Sequence, residues 1–171
     1  MMTPKHPSES LTVLTDLLLP SETNHLNNLF GGELLARMDR AASIAAQRHS
    51  RNICVTASVN HVAFTKAIPL GSVVTVEAKV SRSFNSSMEI YIDVWIEDRA
   101  SGDRTKTMEA IYTFVAVNEA GKPVEVPHII PQTELEQQRY DAALRRKQLS
   151  LVLAGKMKPN DATELKALFT S

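Results

Sequence analysis

Internal disulfide chemistry is closed to this chain. Of its 171 residues one, Cys54, is a cysteine, so no internal bridge can form and no cysteine cluster can hold zinc. A cytoplasmic protein is the simplest expectation. An excess of charge of one sign is also lacking. The 19 lysine and arginine residues meet 19 aspartate and glutamate residues, so no overall field draws the molecule to nucleic acid or to an anionic membrane. A local basic patch for a small anionic ligand stays open. Long apolar runs are missing too. The stretch "LTVLTDLLLP", Leu11 to Pro20, is interrupted by Asp16 and followed by no small-residue cleavage pattern, so it reads as neither membrane span nor signal peptide. His6, His25, His49, His61 and His128 have no ligand spacing, so no metal is expected.

What is present is a hydrophobic period that changes in an orderly way. Residues 10–19 read as a first strand ending at Pro20. From Gly32 to about His49, "GELLARMDRAASIAAQRH" places Leu34, Leu35, Met38, Ala41, Ala42 and Ala45 at helical spacing, with Glu33 and Arg37 as an exposed i,i+4 pair. Its second half is mostly alanine and serine, which lets the helix lie close to whatever covers it. The period then becomes two. "ICVTASVNHVAF", "SVVTVEAKV", "SSMEIYIDVWIEDR" and "TKTMEAIYTFVAV" read as four strands, with "DRASGDR" and "NEAGKP" as turns. In the third, Met88, Ile90, Ile92, Val94 and Ile96 face inward and Glu89, Tyr91, Asp93, Trp95 and Glu97 outward. Tyr91, Trp95, Cys54 and Thr56 together form an outer set that is either scattered surface or an oligomer contact. The pattern predicts an α+β chain, an antiparallel sheet with one face on a single helix. After Pro131 the composition shifts, so residues 9–131 read as the domain and 132–171 as a charged helical extension with a frayed or loosely docked tail.

The stretch "NHLNNLFGGELLARMD" breaks local rules. Gly31 and Gly32 at a helix N-terminus leave backbone N–H groups without intrahelical partners, backed by the positive end of the dipole. They either merely admit the chain to the helix, or let an anion or polarised carbonyl approach closely. Asp39 lies at the edge of the buried stripe; it either pairs with Arg37 or Arg40, or serves as a general base. Asn28 either caps the turn or presents its amide to water or substrate. Gly32 and Asp39 are about 10 Å apart along the axis at 1.5 Å per residue. A carbonyl at the helix mouth is therefore out of reach of water held by the same chain's Asp39. If the two cooperate, a second copy supplies the aspartate, and the site belongs to a dimer.

Three motifs, "NNLFGGELLARMD", "VNHVAFTKAIPLGSVVTVEAKV" and "SRSFNSSMEIYIDVW", resemble in order and spacing the hotdog-fold acyl-CoA thioesterases, the cytosolic acyl-CoA hydrolase group. The resemblance covers about Leu11 to Val126. It implies a sheet wrapped around one long central helix, a homo-oligomer that is at least a dimer and commonly a trimer of dimers, and hydrolysis of fatty acyl-CoA to free acid and CoA. No cofactor is implied, coenzyme A being part of the substrate. Asn28 matches the family's catalytic asparagine and Asp39 its catalytic aspartate, the latter as general base or as nucleophile. Gly31 and Gly32 would hold the thioester carbonyl. Ser86 and Ser87 match a stretch near the CoA moiety, and Phe64 and Met88 would line the acyl tunnel; Lys66, Lys79, Arg82 and the run Arg145 to Lys147 either meet the CoA phosphates or are solvated charges.

The alternative is a non-catalytic acyl-CoA-binding module. An acyl-CoA-sensing repressor would need a DNA-reading segment, for which "MMTPKHPSES" is too short. A hotdog dehydratase relies on a histidine near the helix, and none lies in its first two turns. The paired presence of Asn28 and Asp39 favours the thioesterase.

Overall fold

In the computed structural model, which describes residues 2–170, five antiparallel strands form one sheet. The strands are β1 (Thr12–Leu17), β2 (Ile53–Asn60), β3 (Val73–Ser83), β4 (Ser87–Glu97) and β5 (Arg104–Val117), in spatial order β1-β3-β4-β5-β2. The helix α1 (Gly31–Ser50) lies against the inner face. Alternation buries Val74, Val76, Ala78 and Val80 of β3, Met88, Ile90, Ile92 and Val94 of β4, and Tyr112 and Phe114 of β5. From α1 come Leu34, Met38, Ala41, Ala42, Ala45 and Ala46. Four alanines in the second half bring the helix backbone close to the sheet, and Arg51 in the left-handed region ends it, its N–H donating to Gln47 O at 2.8 Å. This is the wrapped-helix α+β architecture that the resemblance implies.

A second helix, the expected C-terminal extension, covers the opposite face of the sheet. α2 (Glu134–Leu153) opens on a capping box, Thr133 with Glu136, and lies across the outer face. There the polar alternation of β4 is met by its basic residues. Arg146 Nε and Nη2 donate to Glu89 at 2.9 and 2.8 Å, and Arg139 Nη1 and Nη2 donate to Asp93 at 2.9 and 3.0 Å. The Arg139 guanidinium also stacks on Tyr91, 3.7 Å from the ring centroid. Glu89 is thus only 4% exposed although its strand reads as one that faces solvent. The tail is loosely docked, with Leu168 and Phe169 exposed. A short helix, α3 (Thr163–Ala167), follows buried Ala162, and Leu165 N–H donates to Gln148 of α2 at 2.9 Å.

The outer set divides. Tyr91 and Trp95 are on the outer face, but Cys54 packs against the core and Thr56 reaches α1. It is Ile53 and Val55, at 55% and 47%, that β2 leaves exposed. The pairing of β2 with β5 shifts between Thr56 and Ser58, a bulge that breaks the simple period-two reading of this strand.

Candidate functional site

The mouth of α1 is built by a tight loop. Thr23 bridges Leu29, and Asn24 N–H donates to Asn28 O at 2.8 Å. Asn24 Oδ1 in turn accepts from Leu26 N–H at 2.9 Å and Asn28 N–H at 3.2 Å. Asn27 takes the left-handed conformation at φ 58°, which asparagine tolerates. With its oxygen occupied, Asn24 turns an amide NH2 that has no partner among the described residues.

Phe30 is the N-cap residue and offers no side-chain cap. The first N–H groups of α1, at Gly31 and Gly32, are therefore open donors at the positive end of a 20-residue helix. The two glycines do different things. A Cβ on Gly31 would stand 3.3 Å from Phe64 Cζ, whereas one on Gly32 would meet nothing within 4 Å. Gly31 thus makes room for the Phe64 ring, and Gly32 leaves open space. Asn24, Asn28, Gly31, Phe64, Lys66 and Ile68 are among the residues lining a cleft of about 370 Å³ here.

Asp39 is on the same helix, half-buried beside fully buried Met38. It pairs with neither Arg37 nor Arg40. Thr56 Oγ1 donates to its Oδ1 at 2.7 Å across the edge of the sheet. Behind it Tyr112 donates to Leu35 O at 3.0 Å, and burial together with the charge of Asp39 pushes its hydroxyl up to about 12, so it stays protonated. No hydrogen bond links Asp39 to the mouth within the chain. Asn24, and Thr56 as the partner of Asp39, are not legible as site residues in the sequence. Thr56 had no local signal, its contact spanning 17 positions, and Asn24 was one of three asparagines in a short run.

Of the predicted residues, the fold brings Asn28, Gly31 and Phe64 together at the cleft, with Gly32 beside them. Met88 is completely buried under α1. Arg82 lies on the outer face, its guanidinium 4.0 Å from the Tyr140 ring centroid and donating to Tyr140 O at 3.0 Å. Ser86 and Ser87 form the β3-β4 turn, where Ser87 pairs with Val115 of β5. Within one chain these four are not part of the mouth. Arg37 is a further correction. It is not exposed beside Glu33; it is buried and bonded to Asp16 and Glu22. Among the described residues no group of three His, Cys, Asp or Glu side chains is placed to hold a metal ion, and no helix is long and apolar enough to cross a membrane.

Comparison with known proteins gives a consistent set of similarities. The family model described as the thioesterase superfamily matches residues 26–102. An uncharacterised acyl-CoA thioester hydrolase of Bacillus subtilis is 41% identical over 138 residues, 81% of this chain and 80% of the relative. Mouse acyl-coenzyme A thioesterase 11 is 40% identical over 154 residues, 90% of this chain, but the chain spans only 25% of that relative's length. A hexameric acyl-CoA thioesterase solved in its apo form superposes with a TM-score of 0.86 at 38% identity, over 90% of this chain and 98% of the other. An acyl-CoA hydrolase of Staphylococcus aureus, solved with butyryl-CoA and CoA, gives 0.81 at 33% identity over 95% and 98%. That enzyme has also been solved with an aspartate, a threonine and an asparagine each replaced by alanine.

Proposed function

The chain belongs to the hotdog acyl-CoA thioesterases of the thioesterase superfamily, and from that membership we propose that it hydrolyses fatty acyl-CoA at a site shared between two protomers. One observation carries the residue assignment. In the staphylococcal enzyme the substituted asparagine and aspartate are 15 positions apart and the threonine lies 17 beyond the aspartate. Here the same separations run Asn24, Asp39, Thr56, and Thr56 is the residue hydrogen-bonded to Asp39. The register favours Asn24 over Asn28 as the working amide. Asn28 then acts through its backbone, holding the Asn24 oxygen so that the NH2 faces outward.

The chemistry follows from these groups. The thioester carbonyl oxygen sits against the open N–H groups of Gly31 and Gly32 and the Asn24 amide, which stabilise the oxyanion as it forms. Asp39 of the partner subunit takes a proton from water, and the water oxygen adds to the carbonyl carbon. Collapse breaks the C–S bond, and the proton held by the aspartate goes to the departing CoA thiolate. Thr56 fixes one carboxylate oxygen and leaves the other for water. Ser86, Ser87 and Arg82 stand as candidates for the CoA moiety bound from a neighbouring subunit. The proposed assembly is a homodimer through the exposed edge of β2, further assembled as a trimer of dimers in the cytoplasm, as the hexameric relative and the rat relative named cytosolic suggest.

The test is thiol release from a panel of acyl-CoA esters by wild type, Asn24→Ala, Asn28→Ala, Asp39→Ala and a reassembled mixture of the first and last variants. Asn24→Ala and Asp39→Ala are expected to lose activity by about 100-fold or more, and Asn28→Ala by much less. Random mixing should return about a quarter of wild-type activity, because half the dimers carry one intact site of two. A wild type that binds CoA esters without hydrolysing them would make the chain a binding module instead.

A further inference from the structure

Arg37 is the most deeply buried cation on α1, with 4% exposure. Its Nε donates to Asp16 Oδ1 at 3.0 Å, and its Nη2 donates to both oxygens of Glu22 at 2.9 Å. Asp16 is half-exposed and Glu22 a quarter exposed, so the guanidinium is drawn inward to meet carboxylates reaching in from the surface. A buried ion network of this kind adds little stability over apolar packing of the same shape. Its location suggests what it does instead.

Glu22 precedes Asn24 by two residues, and Arg37 precedes Asp39 by two. Glu22 is also knit into the mouth from both directions. Its carboxylate accepts from Leu19 N–H at 2.9 Å, closing the turn Pro20–Glu22, and its carbonyl accepts from Phe30 N–H at 2.9 Å, at the threshold of α1. The Leu19 N–H first and the Arg37 guanidinium second hold the Glu22 carboxyl below the usual carboxylate range, so it is ionised throughout the neutral range. Resting on the shared-site reading above, we propose that Arg37 is a positioning residue, a clamp fixing the Asn24 loop to the helix that carries the carbonyl-binding N–H groups and Asp39. Only a planar fork bridges two carboxylates on separate segments in this way, which a lysine point charge does not.

Five variants test it: Arg37→Met, Arg37→Lys, Glu22→Gln, the Arg37→Met, Glu22→Gln double variant and, as a surface ion-pair control, Arg104→Met. Each is measured for kcat and KM by thiol release, for melting temperature, and for amide hydrogen exchange. Arg37→Met is expected to lower kcat by about 100-fold, the scale of an ångström of misplacement, with KM within about threefold. Exchange should rise by about tenfold or more across residues 22–30 while β4 amides stay protected. Glu22→Gln should move the same readings in the same direction, Arg37→Lys should fall between, and the Arg37→Met, Glu22→Gln double variant should be little worse than either single one. Arg104→Met should match wild type. If Arg37→Met keeps wild-type kcat per folded molecule, or raises exchange uniformly over the whole chain, the clamp is merely structural and the proposal fails. Should Arg37→Met not fold, Glu22→Gln decides on the same readings. A wild type that releases no thiol would sink the thioesterase reading; loop exchange in Arg37→Met would then stand alone, elevated for a clamp and unchanged against it.

Discussion

A glycine that faces empty space on a helix is informative. Gly32 lies within α1 with nothing near the position of a Cβ, so alanine there should stabilise the helix by about 1 kcal/mol through propensity alone. If a thioester carbonyl approaches the N–H groups at that point, the added methyl stands in its way. Gly32→Ala is therefore expected to match or exceed wild type in melting temperature and to lose about tenfold or more in kcat/KM. Unchanged turnover in that variant would move the carbonyl site away from the helix mouth. Gly31→Ala is a different experiment, because its methyl presses on the Phe64 ring. The sequence made the glycine pair legible as an opening, through the orphan donors that any helix start has. It could not distinguish their roles, since the side chain that separates them comes from a loop 33 positions away.

At the scale of elements, α2 explains why β4 alternates polar and apolar residues yet buries both faces. Glu89 accepts from both Arg146 and Ser81 Oγ, the latter at 2.7 Å. Removing the arginine strands a carboxylate that is almost wholly enclosed. Arg146→Met should cost about 3 kcal/mol in chemical denaturation, and Glu89→Leu in the same chain should recover most of it, since the apolar pair replaces a desolvated ion pair. A double variant as unstable as the single would mean that Arg146 contributes by packing its stem and not through its charge. The same ion pairs mark where sequence reading ends. Apolar periodicity identifies α1, β3, β4 and β5 because burial against one partner imposes a period, whereas β2 alternates although its Ile53, Val55 and Val59 are exposed. Outer-face Glu89, Asp93 and Tyr91 read as solvent-facing because a polar strand face does not reveal that a basic helix 40 to 60 residues later will neutralise it. Arg37 was misread for the same reason: its carboxylates come from Asp16 and Glu22, outside the helix. Thr56 was hidden because the apolar Ile53 and Val55 take the exposed side of β2, which turns Cys54 and Thr56 toward α1.

Among the described residues, each of the two edge strands of the sheet leaves an apolar strip uncovered. On β2 they are Ile53, Val55 and Val59; on and beside β1 they are Leu11, Val13, Leu17 and Leu19. Exposed apolar edges are aggregation hazards unless something covers them, and a trimer of dimers needs two different contacts. The β2 strip adjoins the Asp39 and Thr56 pair, so in the proposed assembly its contact is the one that would complete a shared site. The β1 strip adjoins no proposed catalytic group and suits the contact between dimers. A charge placed on each strip should therefore give different outcomes. Val55→Arg is expected to yield monomers with no detectable thiol release. Val13→Arg combined with Leu17→Arg is expected to yield dimers that retain most of the wild-type turnover. Sedimentation velocity gives the assembly and thiol release the activity, in the same samples. If Val55→Arg is monomeric and still active, each protomer completes its own site, and the 10 Å helical separation of mouth and carboxylate must then be closed by movement within one chain. If instead the β1 variant falls to inactive monomers, the dimer contact lies on β1, and the Asp39 edge is open to solvent in the working enzyme.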